Sequence, residues 1–86
     1  MDSELQQGIR TKIVQLGHAR GLKIASLDND ELLLEAGLLD SASVLELIVW
    51  LETMMDLEID LGALTLENFG SVNRMVEFLA AHRRAS

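Results

Sequence analysis

Asp40 and Ser41 are the residues of this chain best placed by type and spacing to do chemistry. They follow Gly37-Leu38-Leu39 and stand directly ahead of an apolar-periodic run from Val44 to Met55. A serine hydroxyl at a glycine-led helix start is exposed and held in place, so it can act as a nucleophile or as a point of covalent attachment. An aspartate beside it can orient a partner or a metal ion. The same two residues are also ordinary helix caps, whose side-chain oxygen accepts a bond from a free backbone N–H. Whether Ser41 is only a cap depends on what surrounds it. Ser43, a second hydroxyl nearby, reads as a boundary residue in the first helical turn. His18 and His82 have no partner at metal or triad spacing and read as surface residues at helix ends. No histidine is therefore placed to serve Ser41 as a base, which argues against a small hydrolytic enzyme. The chain has no cysteine, which excludes disulfides and thiolate metal sites.

The elements that must position Asp40 and Ser41 are helical. A first helix is predicted from about Ser3 to Ala19, with Leu5, Ile9, Ile13, Val14 and Leu16 at helical spacing. Ser3-Glu4-Leu5-Gln6 fits a capping box at its start. Gly21 is its stop, with Arg20 favourable near the C-terminal dipole. Residues 22–40 form a long connection holding a short turn, with Asp28-Asn29-Asp30-Glu31 as its capping pattern and Gly37 as its end. Leu27, Leu33, Leu34, Leu38 and Leu39 are available to pin that connection. A second helix is predicted from about Ser41 to Asp56 and a short third from Thr65 to Phe69. A last helix runs from about Val72 to His82, capped by Ser71, with Val72, Met75, Val76 and Leu79 as its stripe. Strand alternation is confined to the brief Leu57-Glu58-Ile59-Asp60-Leu61. The expected fold class is all-α, a small four-helix bundle of three main helices and one short one.

Eighty-six residues predict one domain, residues 1–86, with a thin core and no deep cleft. Self-sufficient catalysis needs a pocket that excludes water, so a chain of this size points away from an enzyme. Met1-Asp2-Ser3-Glu4 has the wrong charge for a signal peptide, and no apolar run approaches membrane-spanning length. A soluble cytoplasmic protein is the expectation.

The net charge is −7, and it is unevenly placed. Between Lys23 and Arg74 there is no Lys or Arg, while Asp28, Asp30, Glu31, Glu35, Asp40, Glu46, Glu52, Asp56, Glu58, Asp60 and Glu67 all fall there. Such a stretch repels nucleic acid and anionic lipid and attracts basic protein surfaces. It can equally be a solvated face that only keeps the chain soluble. Stepping 100° per residue along the second helix puts Val44, Leu47, Ile48, Leu51, Met54 and Met55 on a core side. Ala42, Leu45, Glu46, Val49, Glu52 and Thr53 fall opposite, with Ser43 and Trp50 on the boundary. Exposed Leu45 and Val49 rimmed by Glu46 and Glu52 would make a small docking surface for a partner, though single surface aliphatics are also normal. The same residues could pair two copies, but a monomer is the expectation. Met54-Met55 reads as soft core packing and Trp50 as a half-buried packing residue.

The run Gly37-Leu38-Leu39-Asp40-Ser41-Ala42-Ser43-Val44-Leu45-Glu46-Leu47 resembles the attachment region of acyl carrier proteins. That family has an Asp-Ser pair and then a Val-Glu-Leu-like triplet, where this chain has Leu45-Glu46-Leu47. The likeness continues through Leu51-Glu52 and Met55-Asp56-Leu57-Glu58-Ile59, and through Leu64-Thr65-Leu66-Glu67-Asn68-Phe69-Gly70-Ser71-Val72. Its specific part covers about residues 36–72. Two departures stand out. Ala42 replaces the usual Leu after the serine, and Thr53, Met54 and Met55 stand where the family often has further acids.

The resemblance implies a 4′-phosphopantetheine arm on Ser41, transferred from coenzyme A by a phosphopantetheinyl transferase, with Asp40 helping to position the transferase's metal and coenzyme. It implies cargo held as a thioester, an amino-acid or acyl ligase that loads the arm, and a downstream acyl-accepting enzyme. Ala42, Leu45, Glu46, Val49 and Glu52 would be the partner face. Leu-Leu-Asp-Ser without a second acid after the serine is similar to freestanding carriers of amino acids or other small acyl groups, D-alanyl carriers among them. Carriers of fatty-acid or polyketide synthesis are the alternative within the family. An acidic helical adaptor with no prosthetic group is the alternative outside it.

Overall fold

The computed structural model describes residues 3–24 and 26–85, and among them every regular element is helical. Helix α1 spans Ser3–Ala19, α2 Ser41–Met55, α3 Leu66–Phe69 and α4 Val72–Ala85, with one 3₁₀ turn at Leu61–Ala63. The all-α four-helix reading therefore holds. Ser3, the first residue of the expected capping box, is already helical.

The apolar spacing of α1 works as expected: Ile9, Ile13 and Leu16 are buried and Leu5 and Val14 half-buried. Its end is set by Gly21, whose φ of 86° lies in the left-handed region that a side chain disfavours. With that turn in place, Leu22 N donates to Gly17 O and Gly21 N to His18 O, the paired bonds of a Schellman stop. The helix closes tightly, because Ile24 Cδ1 occupies the place a Cβ on Gly17 would need.

The same device ends the turn inside the long connection. Gly37 has φ 76°, Leu38 N donates to Leu33 O and Gly37 N to Leu34 O. Leu27, Leu33 and Leu39 are buried and Leu38 half-buried, so they pin the connection. Leu34 does not: it is exposed, a correction to the leucine pattern. Polar bonds supply the remaining anchorage. Asn73 on α4 accepts from Gln6 Nε2 at 2.8 Å and donates to Asp30 Oδ1 at 2.7 Å, while Arg10 reaches Asn29 Oδ1 at 3.2 Å. The backbone adds Leu33 N to Gly70 O and Asn73 N to Asn29 O.

Helix α1 packs against α2 and α4, and α3 lies on α4. Ile9, Ile13, Leu33, Leu47, Leu51, Val72, Met75 and Leu79 form the fully buried centre. Truncating any of the longer ones to Ala should cost about 2–5 kcal/mol, because the cavity left behind relaxes only in part. Thr65 and Ser71 cap α3 and α4, their hydroxyls accepting from Asn68 N and Arg74 N at 3.2 Å each. Phe69 and Phe78 meet at 5.1 Å between ring centres, tilted by 56°, and His82 lies half-buried beside Phe78 rather than on open surface. Trp50 is half-buried over Gly8, with Lys12 Nζ 5.8 Å from the ring centre.

Besides Glu52, described with the site below, two positions of α2 depart from the helical-wheel reading. Ser43 is buried rather than marginal, and Met54 is exposed rather than in the core. Ser43 lies on the same i, i+4, i+8 row as Leu47 and Leu51, which carries it inward. Met54 stands in the last turn. Beyond it the chain reverses at Asp56, in a left-handed conformation at φ 52°, and the brief alternation of residues 57–61 forms no strand.

Candidate functional site

The start of α2 answers the question its sequence poses. The cap is Asp40, in extended backbone geometry, and Oδ1 of its carboxylate accepts from Ser43 N at 2.8 Å. Its carbonyl takes the first helical bond, from Val44 N at 2.9 Å. Ser41 is the first helical residue and is exposed. Its hydroxyl makes no hydrogen bond among the described residues, so it is free for other chemistry. Ser43 is turned inward and buried, and its backbone N–H holds the Asp40 carboxylate.

Sequence reasoning placed Arg20 at the end of α1 for its dipole. The structure turns it toward the site. Arg20 Nε lies 3.3 Å from Asp40 Oδ2, and Nη1 donates to Leu38 O at 3.4 Å. No periodic pattern could show this contact, because it depends on how the 22–40 connection folds back on the end of α1. Both oxygens of Asp40 are thus engaged. The carboxyl is held below its ordinary pKa of 3.8, chiefly by the Ser43 N–H and then by the Ser43 hydroxyl; desolvation opposes them, and the Arg20 charge adds a smaller lowering effect. Asp40 is anionic at neutral pH.

Along α2 from Ser41, Ala42, Leu45, Glu46 and Val49 are all exposed, at spacings that stack them in one stripe. Leu45 is 54% and Val49 61% exposed. Glu52 is different. It is half-buried, and its Oε2 accepts from Ile59 N at 2.8 Å. The Glu52 carbonyl also receives Asp56 N and Leu57 N. This glutamate fastens the segment after the helix, a role that wheel geometry alone did not show. The broad groove between α1 and α2 is lined by Gln7, Gly8, Thr11, Lys12 and Trp50 among others and does not include Ser41. Among the described residues no cluster of three or more His, Cys, Asp or Glu side chains could hold a metal ion. No described helix is long and apolar enough to cross a membrane.

Compared with known proteins, the chain is 40% identical over 48 residues to a D-alanyl carrier protein of Streptococcus uberis. That match supports the acyl carrier family. The overlap covers 56% of this chain and 61% of the relative's length. No family model matches.

Proposed function

We propose that this chain is a freestanding carrier protein that holds an amino acid or small acyl group on a 4′-phosphopantetheine arm attached to Ser41. The observation that supports this most is the division of labour at the start of α2: Asp40 makes the cap, and Ser41 is left exposed with an unengaged hydroxyl. The residues present suit such an arm. Attachment would form a bond from Ser41 Oγ to phosphorus, release the hydroxyl proton, and break the pyrophosphate bond of coenzyme A in a transferase's active site, with adenosine 3′,5′-bisphosphate as the leaving group. When bound, the arm supplies a thiol that holds the cargo as a thioester. Everything else this chain contributes is position. Asp40 keeps the helix start closed and its charge fixed, and the arrangement leaves it available to a transferase's metal ion if Arg20 gives way.

The cargo reading follows the relative's name. D-alanine, or another small amino acid, is the first candidate, and the absence of a second acid after the serine accords with it. The stripe Ala42, Leu45, Glu46 and Val49 is the surface we assign to partners: the transferase, the loading ligase and the enzyme that accepts the cargo. Basic patches on such partners would meet an α2 that carries no Lys or Arg. Glu52 contributes to this face through the chain it anchors. In this reading the chain is not an enzyme.

The test is to incubate the protein with coenzyme A and a promiscuous phosphopantetheinyl transferase and then measure its mass. A gain of one arm, lost in Ser41→Ala, is expected. No gain, under conditions that modify a control carrier, would refute the carrier reading and leave an acidic adaptor. Supplying candidate ligases with D-alanine and short acids, and weighing the loaded arm, then identifies the cargo.

A further inference from the structure

Arg20 is the cation paired with Asp40, the residue immediately ahead of the candidate attachment residue, and the reading above gives it no role toward the arm. Its Nε faces Asp40 Oδ2 at 3.3 Å and its Nη1 holds the Leu38 carbonyl at 3.4 Å. These contacts fix the guanidinium next to the residue immediately ahead of Ser41. Its side chain remains 32% exposed, and a guanidinium has more N–H donors than these two contacts consume. The segment that builds the site offers no substitute, since residues 24–73 contain neither Lys nor Arg.

An arm on Ser41 would add a phosphodiester anion one residue from the Asp40 carboxylate. Two adjacent anions repel, and the group already in place to offset that is Arg20. A planar guanidinium suits this task better than an ammonium, because its fork can donate to a carboxylate and a phosphate together, with charge-assisted bonds on both sides. Resting on the carrier reading above, we infer that Arg20 is a positioning residue for the arm: it bridges the Asp40 carboxylate and the phosphodiester on Ser41, and so fixes the direction in which the arm leaves the protein. The ion pair in the unmodified chain is then the waiting position of that bridge.

The experiment compares unmodified and modified protein from one preparation, with modification confirmed by mass. Two signals are followed: the Arg20 Nε–H resonance by ¹⁵N NMR and the phosphodiester by ³¹P NMR. Modification should move the Arg20 Nε–H signal in the wild-type protein. In modified Arg20→Gln the ³¹P signal should be displaced from its wild-type position, and Arg20→Lys should restore part of the displacement. The wild-type and Arg20→Gln positions should converge in 1 M salt, where the screening length falls to about 3 Å. An Arg20 signal that stays put on modification, with ³¹P positions identical in wild type and Arg20→Gln, overturns the inference while leaving the carrier reading intact. A protein that gains no mass at Ser41 refutes the carrier reading instead. Should Arg20→Gln fail to fold, the wild-type comparison alone decides, since it needs no substitution.

Discussion

Glu52 separates a structural carboxylate from a docking one, and the two roles predict different losses. Its Oε2 accepts the Ile59 N–H at 2.8 Å, and Ile59 is itself 7% exposed, at the edge of the core. Glu52→Ala leaves that part-buried donor without a partner, a loss of about 1–3 kcal/mol. Glu52→Gln keeps a carbonyl acceptor and removes only the charge assistance, so it should cost about 1 kcal/mol or less. At about 2 kcal/mol the Ala variant would melt roughly 8–16 °C below the parent, since a domain of this size shifts by about 4–8 °C per kcal/mol. The assay is thermal unfolding by circular dichroism, paired with the rate of arm attachment measured well below the melting range. The expected pattern is a large fall in Tm for Ala, a small one for Gln, and near-parental attachment for Gln. If Glu52→Ala stays within about 0.5 kcal/mol of the parent, the spread of ordinary surface substitutions, the bond to Ile59 is not a structural tie and the argument fails. A stable Gln variant that is attached far more slowly would show that partners read the charge directly.

Ser41→Ala should leave stability within about 0.5 kcal/mol of the parent, because the cap belongs to Asp40; a large fall in urea or thermal unfolding would contradict that assignment. The lowered pKa of Asp40 fixes a pH dependence. Its stabilising contribution is complete above the unfolded value near 3.8 and is lost as pH falls through the lower folded value. The difference in Tm between wild type and Asp40→Ala should therefore be flat near neutrality and shrink only in acid, and a difference that shrinks between pH 5 and 7 would point to another group. Gly37→Ala should cost about 1–2 kcal/mol, because φ 76° is strained for any residue with a Cβ, and denaturant titration measures it. Glu46→Lys should slow loading by a cognate ligase several-fold at low salt with helicity unchanged; equal rates across salt would remove Glu46 from the partner face.

Much of the fold can be read from local signals. The stripe Ile9, Ile13, Leu16 marks α1, and the side chains of Thr65 and Ser71 mark where α3 and α4 begin. The turn closing at Gly37 and the position of Ser41 at a helix start are equally local. What escaped depends on the chain folding back on itself. Glu52 sits on the outer side of an ideal wheel, yet the reversal at Asp56 brings Ile59 N back to it. Arg20 finds Asp40 only because Gly21 turns the chain and the connection returns past Leu38. Met54 counts as core by angle, but at the end of α2 it is 47% exposed. Ser43 could have been placed, since it shares a row with Leu47 and Leu51; the 100° stepping set it on the boundary, yet it is buried.

The closure of α2 by Asp40 rather than by Ser41 has a consequence for how a change at Ser41 would be perceived. A substituent on that oxygen disturbs neither the Ser43 N–H bond nor the Val44 N–H bond that begins the helix. On the carrier reading, the backbone bonds that open α2 would be the same whether position 41 is bare or decorated. On that reading, a protein that must tell the two states apart would read the decoration and its immediate surroundings at the start of α2.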